Sequence, residues 1–455
     1  MTALRPARLA GYASGGIAAG VSAMVPSVLL LYFMTQLLAL PVGLASLAIL
    51  LPKAVIIFFD PWLGRRSDRT RSRWGRRAPF LAAGALASAL GFAALFSVPR
   101  LGSDGLTFAA VAAAYLAASL GWSVFGVPWT ALPAEMTPDA GQRARLLGWR
   151  MMFVFAGMIV GAAGGPLLVA RFGGGPGGYA GMALTIAPLL LLVMLVTAVT
   201  AARVAVPAGA ALAAAAVPMR AALPAIARYA PFSVALGLNV LAVIGMSAFM
   251  AAAPYFIVQG LGRSEVDVAA LLVTQLAASF VSMAAWSRLV PRLGFRVALT
   301  TALGLGIAGA ALVAAGGQGL GWPLVLAGAA VFGAGAGGIQ ITSLAGLAEA
   351  IDRFASHSGA QQGGTMTGLW TASERIAYAL GPAVVGLILA SGGFASGADR
   401  ALQSAAAIET CRMAMLLGAG PIFALAAALA WLMPAYRRLS APPDATGCAA
   451  VGRAA

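Results

Sequence analysis

A chain of 455 residues that is 61% hydrophobic and only 9% charged, with a mean hydropathy of +0.92, carries more apolar surface than a soluble domain of this size can bury. Its net charge of +16 is almost all arginine, since Lys53 is the only lysine, and the arginines sit in the gaps between apolar runs, a pattern of membrane topology and not of nucleic-acid binding. Two cysteines, Cys411 and Cys448, make no disulfide framework, and a single histidine, His357, leaves neither a metal cluster nor a His-based triad, so an enzyme, a metal and a cofactor are all unexpected.

The N-terminal segment carries Arg5 and Arg8 ahead of an apolar run that continues to about residue 40. That run is too long for a cleaved signal and reads as the first span. Taking about 20 apolar residues as one bilayer-crossing helix, spans fall near 11–38, 41–63, 79–99, 106–133, 145–170, 179–201, 228–258, 266–287, 295–316, 321–349, 364–391 and 407–434. The fold class is an all-α membrane protein of about twelve helices.

The stretch DPWLGRRSDRTRSRWGRRAPF at 60–80 joins the second and third spans and holds seven arginines and Asp68 between Arg65 and Arg77. Arginines also follow the other even-numbered spans, at Arg143 and Arg145, Arg203 and Arg220, Arg288, Arg292 and Arg296, Arg353, and Arg437 and Arg438. The opposite gaps hold little: Arg100 and Asp104, Arg171, Arg263 with Glu265 and Asp267, and Asp399 with Arg400. This bias puts both termini on the cytoplasmic face of a plasma membrane, the inner membrane of a bacterium. The low-complexity, proline-bearing stretch 202–226 then reads as a cytoplasmic linker between an N-terminal six-helix bundle at 1–201 and a C-terminal one at 227–434, with a cytoplasmic tail at 435–455. Transporters built from two repeated halves have this plan. WSRLVPRLGFR at 286–296 is a faint counterpart of the Gly64–Arg77 loop, and the glycine-rich runs at 161–165 and 333–338 fit close helix packing in lipid.

Gly64, Asp68, Arg69, Gly75, Arg76 and Arg77 match the loop between spans two and three of the major facilitator superfamily. The fuller 60–80 string is similar to that of the glycoside-pentoside-hexuronide cation symporters, the group that includes melibiose permease. PWTALPAEMTPDAGQRARLLGWR at 128–150 resembles the segment after that group's fourth span, and GLWTASERIAYALGPAVVG at 368–386 resembles its eleventh. The resemblance implies two six-helix bundles around a central cavity, working by alternating access, with the six matched loop residues as a conformational motif that biases exchange. For the remaining arginines of the loop, fixing topology alone is the competing reading.

An ionisable group inside a span costs about 2.5–3.5 kcal/mol on insertion scales, so each is a functional candidate. Asp60 follows Lys53 by seven residues, which puts both on one helical face about 10 Å apart. The resemblance implies that the matching aspartate binds a cation, making Asp60 and Lys53 the cation-coupling candidates, with Arg375 as a further modulator; a structural salt bridge that helps insert the second span is the alternative. Arg150 corresponds to the group's sugar-contacting arginine, and its planar donors suit paired hydroxyls or a carboxylate; an anchor at the span's end is the alternative. Glu374 and Arg375 are adjacent and so cannot face one another on a helix; Arg375 is assigned to the cavity. Trp129 and Trp370 lie in matched segments and can stack on sugar rings, or serve as packing and interfacial groups.

Departures from the group are equally informative. Ala19 and Gly20 stand where sugar-carrying relatives place a charged pair, Ile56 and Gly126 where the melibiose-type cation site has further acids, and Gln361, Gln362, Gly363 and Gly364 replace a charged run. These differences point away from sodium and from a melibiose-like substrate. The expected function is secondary active transport of a sugar or glycoside-like solute across the lipid bilayer, coupled to a cation, with a proton favoured over sodium because one carboxylate suffices for a proton. An amphipathic or lipid-like solute, favoured by the apolar first span, and a non-transporting membrane assembly factor of the same fold are the other readings.

Overall fold

The computed structural model describes residues 6–70, 72–137, 139–203, 224, 226–358 and 362–432. The tail at 435–455, most of the 202–226 linker and Gln361 lie outside these residues. Helices long and apolar enough to cross a membrane are α1 (Pro6–Leu30), α2 (Val42–Arg69), α3 (Ala78–Leu95), α4 (Asp104–Met136), α5 (Ala140–Arg171), α6 (Gly175–Ala202) and α7 (Ala230–Pro254). They continue through α8 (265–293) and α9 (295–315), two helices separated by a sharp turn at Gly294, to α10 (Trp322–Ser358), α11 (Gly363–Ser391) and α12 (Ala405–Leu432). The expected gap after 287 narrows to that turn: the chain stays helical through Pro291 and reverses at Gly294, where φ is 75° and ψ 156°. Gly75, at the matching place between α2 and α3, also has positive φ, 86°, a conformation that glycine adopts without a steric penalty.

Local chemistry sets the ends. Ser103 caps α4 by accepting from the Leu106 N–H at 3.2 Å, with Asp104 in the first turn, and Asp139 caps α5 by accepting from Gln142 N–H at 2.7 Å. The glycine runs do bring backbones together. A Cβ at Gly335 would sit 2.5 Å from the Ala302 carbonyl, one at Gly337 equally close to that of Ser279, and one at Gly161 3.1 Å from Met24 Cβ. Large apolar side chains such as Phe58, Leu192, Val281 and Leu387 face outward, as lipid-contacting positions require.

The halves α1–α6 and α7–α12 meet chiefly at the end where α1 passes to α2. Beyond Pro26 and Pro254 the first helix of each half loosens into wide π-helical turns, at Pro26–Leu30 and Phe33–Leu37 in one and Tyr255–Gly260 in the other; each proline removes a helical donor, which favours such widening. These turns face each other. The Thr35 and Tyr255 hydroxyls lie 2.6 Å apart, Gln259 donates to Gln36 at 2.7 Å and to the Tyr32 hydroxyl at 3.4 Å, and the Tyr32 and Tyr255 rings meet edge-on. Gly386 of α11 packs against Val42 and Ser46 of α2 at the same end, and nearer the middle Phe155 and Phe280 join α5 to α8 with ring centroids 5.7 Å apart.

Candidate functional site

At the other end, where α2 passes to α3, the matched loop residues form a buried ion network. Arg77, 7% exposed, donates from Nε to Glu135 at 2.7 Å and from Nη1 to Ser67 Oγ at 2.5 Å, and pairs through Nη2 with Asp68 at 2.5 Å; Arg76 reaches the same Glu135 oxygen at 2.6 Å. The network ties the loop to the end of α4. Asp68 itself is 56% exposed, and Arg69 lines an open surface groove with Trp62, Arg65, Arg66 and Thr70. A Cβ at Gly64 would touch only Val127, at an ordinary 3.7 Å, so nothing in this conformation demands a glycine there. Glu135 was not singled out by the sequence reading, although a lone acid inside an apolar stretch is itself a signal.

The burial difference sorts the two acids. Glu135→Ala leaves buried Arg77 with the exposed Asp68 and the Ser67 hydroxyl but without its buried carboxylate, and is expected to cost about 1–3 kcal/mol, seen as a clear fall in the Tm of the detergent-purified protein. Asp68→Asn should cost about 0–1 kcal/mol and instead slow transport, with equilibrium solute binding changed no more than a few fold. Equal thermal losses for the two variants would refute this division.

Ten residues into α5, about 15 Å along its axis, Arg150 lays its guanidinium over the Trp129 ring, with Cζ 4.1 Å from the ring centroid. The indole is oriented by its own Nε1–H, which donates to the Tyr12 carbonyl at 3.0 Å, and the Tyr12 ring lies 5.9 Å from it. Trp129 is almost fully buried, and Phe125 and Trp122 pack around it. The Tyr12 hydroxyl and Arg150 Nε are buried with no hydrogen-bond partner among the described residues. Buried polar atoms are normally paired, so this corner of the N-terminal half offers unused hydrogen-bonding capacity, while the enclosed Trp129 ring presents no open face and instead supports Arg150.

Asp60 and Lys53 are not brought together. Lys53 Nζ lies over the Tyr115 ring, 5.0 Å from its centroid, whereas Asp60 accepts an ion-paired hydrogen bond from Arg375 across the interface between the halves. Two helical turns leave about 10 Å between Lys53 and Asp60, and each side chain reaches a nearer partner on another helix. Asp60 Oδ1 keeps no hydrogen-bond partner among the described residues. Trp370 is not beside Arg375: its Nε1 donates to Glu374 at 2.9 Å, and Asn239 of α7 donates to the same Glu374 oxygen at 3.1 Å. The sequence reading missed Tyr12 and Asn239, because a lone tyrosine or asparagine in an apolar run has no spacing signature. The apolar first span has a packing cause: a Cβ at Gly20 would collide with the backbone of Val154, Gly157 and Met158 in α5.

This arrangement holds paired polar groups in the middle of a helical bundle and has relatives. Residues 11–437 match the model of a family described as MFS/sugar transport protein. The isoprimeverose transporter of Lactiplantibacillus pentosus is 23% identical over 402 residues, 88% of this chain and 83% of that one. An uncharacterized symporter of Synechocystis, sll1374, is 33% identical over 154 residues, and the inner membrane symporter YicJ of Escherichia coli 31% over 148; these local matches span 28% and 32% of those proteins. In overall shape the chain is similar to a bacterial homolog of the human lysosomal transporter Spinster in an inward-facing, unoccupied conformation, with TM-score 0.73, 16% identity, and 97% of this chain and 100% of that one covered. It is also similar to a D-xylose-proton symporter, with TM-score 0.67, 16% identity, and 93% and 97% covered. With the family match running over nearly its whole length, this chain is an integral membrane protein of the MFS/sugar transport family, built on the major facilitator fold.

Proposed function

We propose that the protein is a proton-coupled symporter of a sugar or glycoside, working by alternating access. The observation that carries the solute class is Arg150 stacked on Trp129 beside Tyr12, with the Tyr12 hydroxyl and Arg150 Nε buried and left to pair. A guanidinium whose face is occupied by an indole still presents its edge, a fork of N–H donors that matches vicinal hydroxyls, and the buried Trp129 holds that fork in place. The names of the relatives, among them an isoprimeverose transporter and a putative glycoside/cation symporter of Escherichia coli, support the same class.

Asp60 is the proposed coupling acid. Its ion pair with Arg375 bridges α2 and α11, so a proton that neutralises the carboxylate weakens a contact between the halves. Lys53, Trp370 and the loop residues Gly64, Asp68, Arg69, Gly75, Arg76 and Arg77 act on conformational exchange in this reading. The arginines at the α1–α2 end are largely matched by acids, Arg100 with Asp104, Arg263 with Asp267 and Arg412 with Glu409, whereas the α2–α3 end keeps an excess. That excess supports a cytoplasmic α2–α3 end in a bacterial inner membrane, which makes the present conformation inward-open. Periplasm-dependent reporters fused at residues 215 and 445 should stay dark, and a strong signal from either would reverse the orientation.

The function is tested in proteoliposomes with an imposed inward proton gradient, screening glycosides, pentosides and hexuronides for uphill uptake and for thermal stabilisation. Uptake of at least one of them is expected. Stabilisation by lysolipids with no response to any saccharide would overturn the solute class.

A further inference from the structure

Glu374 sits eleven residues into α11, in the C-terminal half, well inside the helix. One oxygen, Oε1, accepts from both Trp370 Nε1–H at 2.9 Å and Asn239 Nδ2–H at 3.1 Å. Both donors are neutral. Its sequence neighbour Arg375 projects about 100° away around the helix and is engaged by Asp60 of α2. The other charged groups on helices packed against α11 are held elsewhere or exposed: Lys53 of α2 over Tyr115, Asp68 of α2 with Arg77, Glu349 of α10 with Arg353, and Glu409 of α12 with Arg412. Arg65, Arg66 and Arg69 follow Asp60 toward the end of α2 and are exposed, as is Asp352 at the C-terminal end of α10, and α7 contributes no charged residue between Ala230 and Pro254. The remaining titratable neighbour is the Tyr378 phenol, one turn along α11 and within electrostatic reach.

A carboxylate inside a span without a cation costs several kcal/mol, whereas the neutral acid does not. N–H donors by themselves favour a charged carboxylate, so the preference for the acid comes from its place in a span without a cation, and the hydrogen-bond pattern accommodates it: a carbonyl oxygen accepts two N–H donors on its two lone pairs, and the second oxygen is left to bear the hydrogen. We propose that Glu374 is a second proton-binding group, in the C-terminal half, which holds its proton on Oε2 in this conformation and exchanges it with water during the cycle. The step forms one O–H bond from a solvent proton and consumes nothing else. Its use in transport rests on the symport reading above; the proton site itself does not.

The test is infrared difference spectroscopy of the full-length protein in liposomes during a pH change, following the carbonyl stretch of a protonated carboxyl group. Because Asp60 and the exposed acids contribute bands of their own, the assignment rests on one component: present in the wild type, lost in Glu374→Gln, shifted in Glu374→Asp, and retained in Asp60→Asn. Trp370 emission should titrate with that component, because its indole N–H loses or gains a charged acceptor. A difference spectrum that Glu374→Gln leaves unchanged at every pH at which the protein stays folded overturns the assignment. Uphill solute uptake is read in the same liposomes: a wild type with the band but without proton-driven uptake would sink the symport reading and leave the proton site standing.

Discussion

Arg150→Ala is expected to abolish solute binding in a protein that still inserts and purifies as the wild type does. The guanidinium is held flat on Trp129, and its Nε is buried without a partner, so its position is fixed before the solute arrives and little rotamer entropy remains to be lost on binding. Hydrogen bonds to a charged group contribute about 1.5–3 kcal/mol each, and losing two of them weakens Kd by roughly a hundredfold or more. Arg150→Lys should not rescue, since an ammonium has neither the planar face that stacks on indole nor the fork that meets two hydroxyls. Titration calorimetry with the solute identified by the uptake screen measures the effect. Unchanged affinity in Arg150→Ala would make the residue a helix-end anchor that packs on Trp129 and nothing more.

Asp60→Asn is expected to keep solute exchange and lose uphill accumulation. The substitution preserves shape but removes the charge that pairs with Arg375 between α2 and α11, so the halves can still rock while no proton need move with the solute. Breaking one side of a partly buried pair leaves Arg375 unneutralised, and Arg375→Ala in the same background should restore some of the lost stability. A sodium gradient imposed at equal pH should drive no accumulation in either protein. Sodium requires several oxygen ligands with enough negative charge to offset its desolvation. Next to Asp60 the position that could have supplied a further acid is Ile56, which is buried and apolar. At Gly126 packing leaves space, the nearest atoms to an added Cβ being those of Trp122 at 3.5 Å, yet no oxygen fills it. Robust sodium-driven uptake would refute the proposal and direct attention to Ser123, whose hydroxyl is buried without a partner, and to Thr130.

The fold was legible because each crossing needs a long apolar run and each loop between them needs none, so hydropathy alone counts the helices. It placed the turn between the eighth and ninth spans but drew it too long, reading Arg288, Arg292 and Arg296 as a loop. An arginine-rich sequence can stay helical when its charged heads face water, and only the backbone angle at Gly294 marks the turn. The partners of the candidate acids were less legible. Lys53 and Asp60 share a helical face, but which side chain crosses to another helix depends on how the two halves are docked, and that information is spread over the whole interface. Asp60 with Arg375, Arg77 with Glu135, and Glu374 with Asn239 join residues 315, 58 and 135 positions apart; no local pattern encodes such distances.

The hydrogen bonds between the π-helical turns of α1 and α7 are made by amides and hydroxyls: Thr35 with Tyr255, and Gln259 with Gln36 and Tyr32. Each such bond contributes about 0.5–1.5 kcal/mol net, and none involves a formal charge that dissolved ions can screen. Those bonds therefore keep their strength as ionic strength rises and across the ordinary range of acidity. A seam of salt bridges in their place would loosen with added salt; this one is indifferent to it.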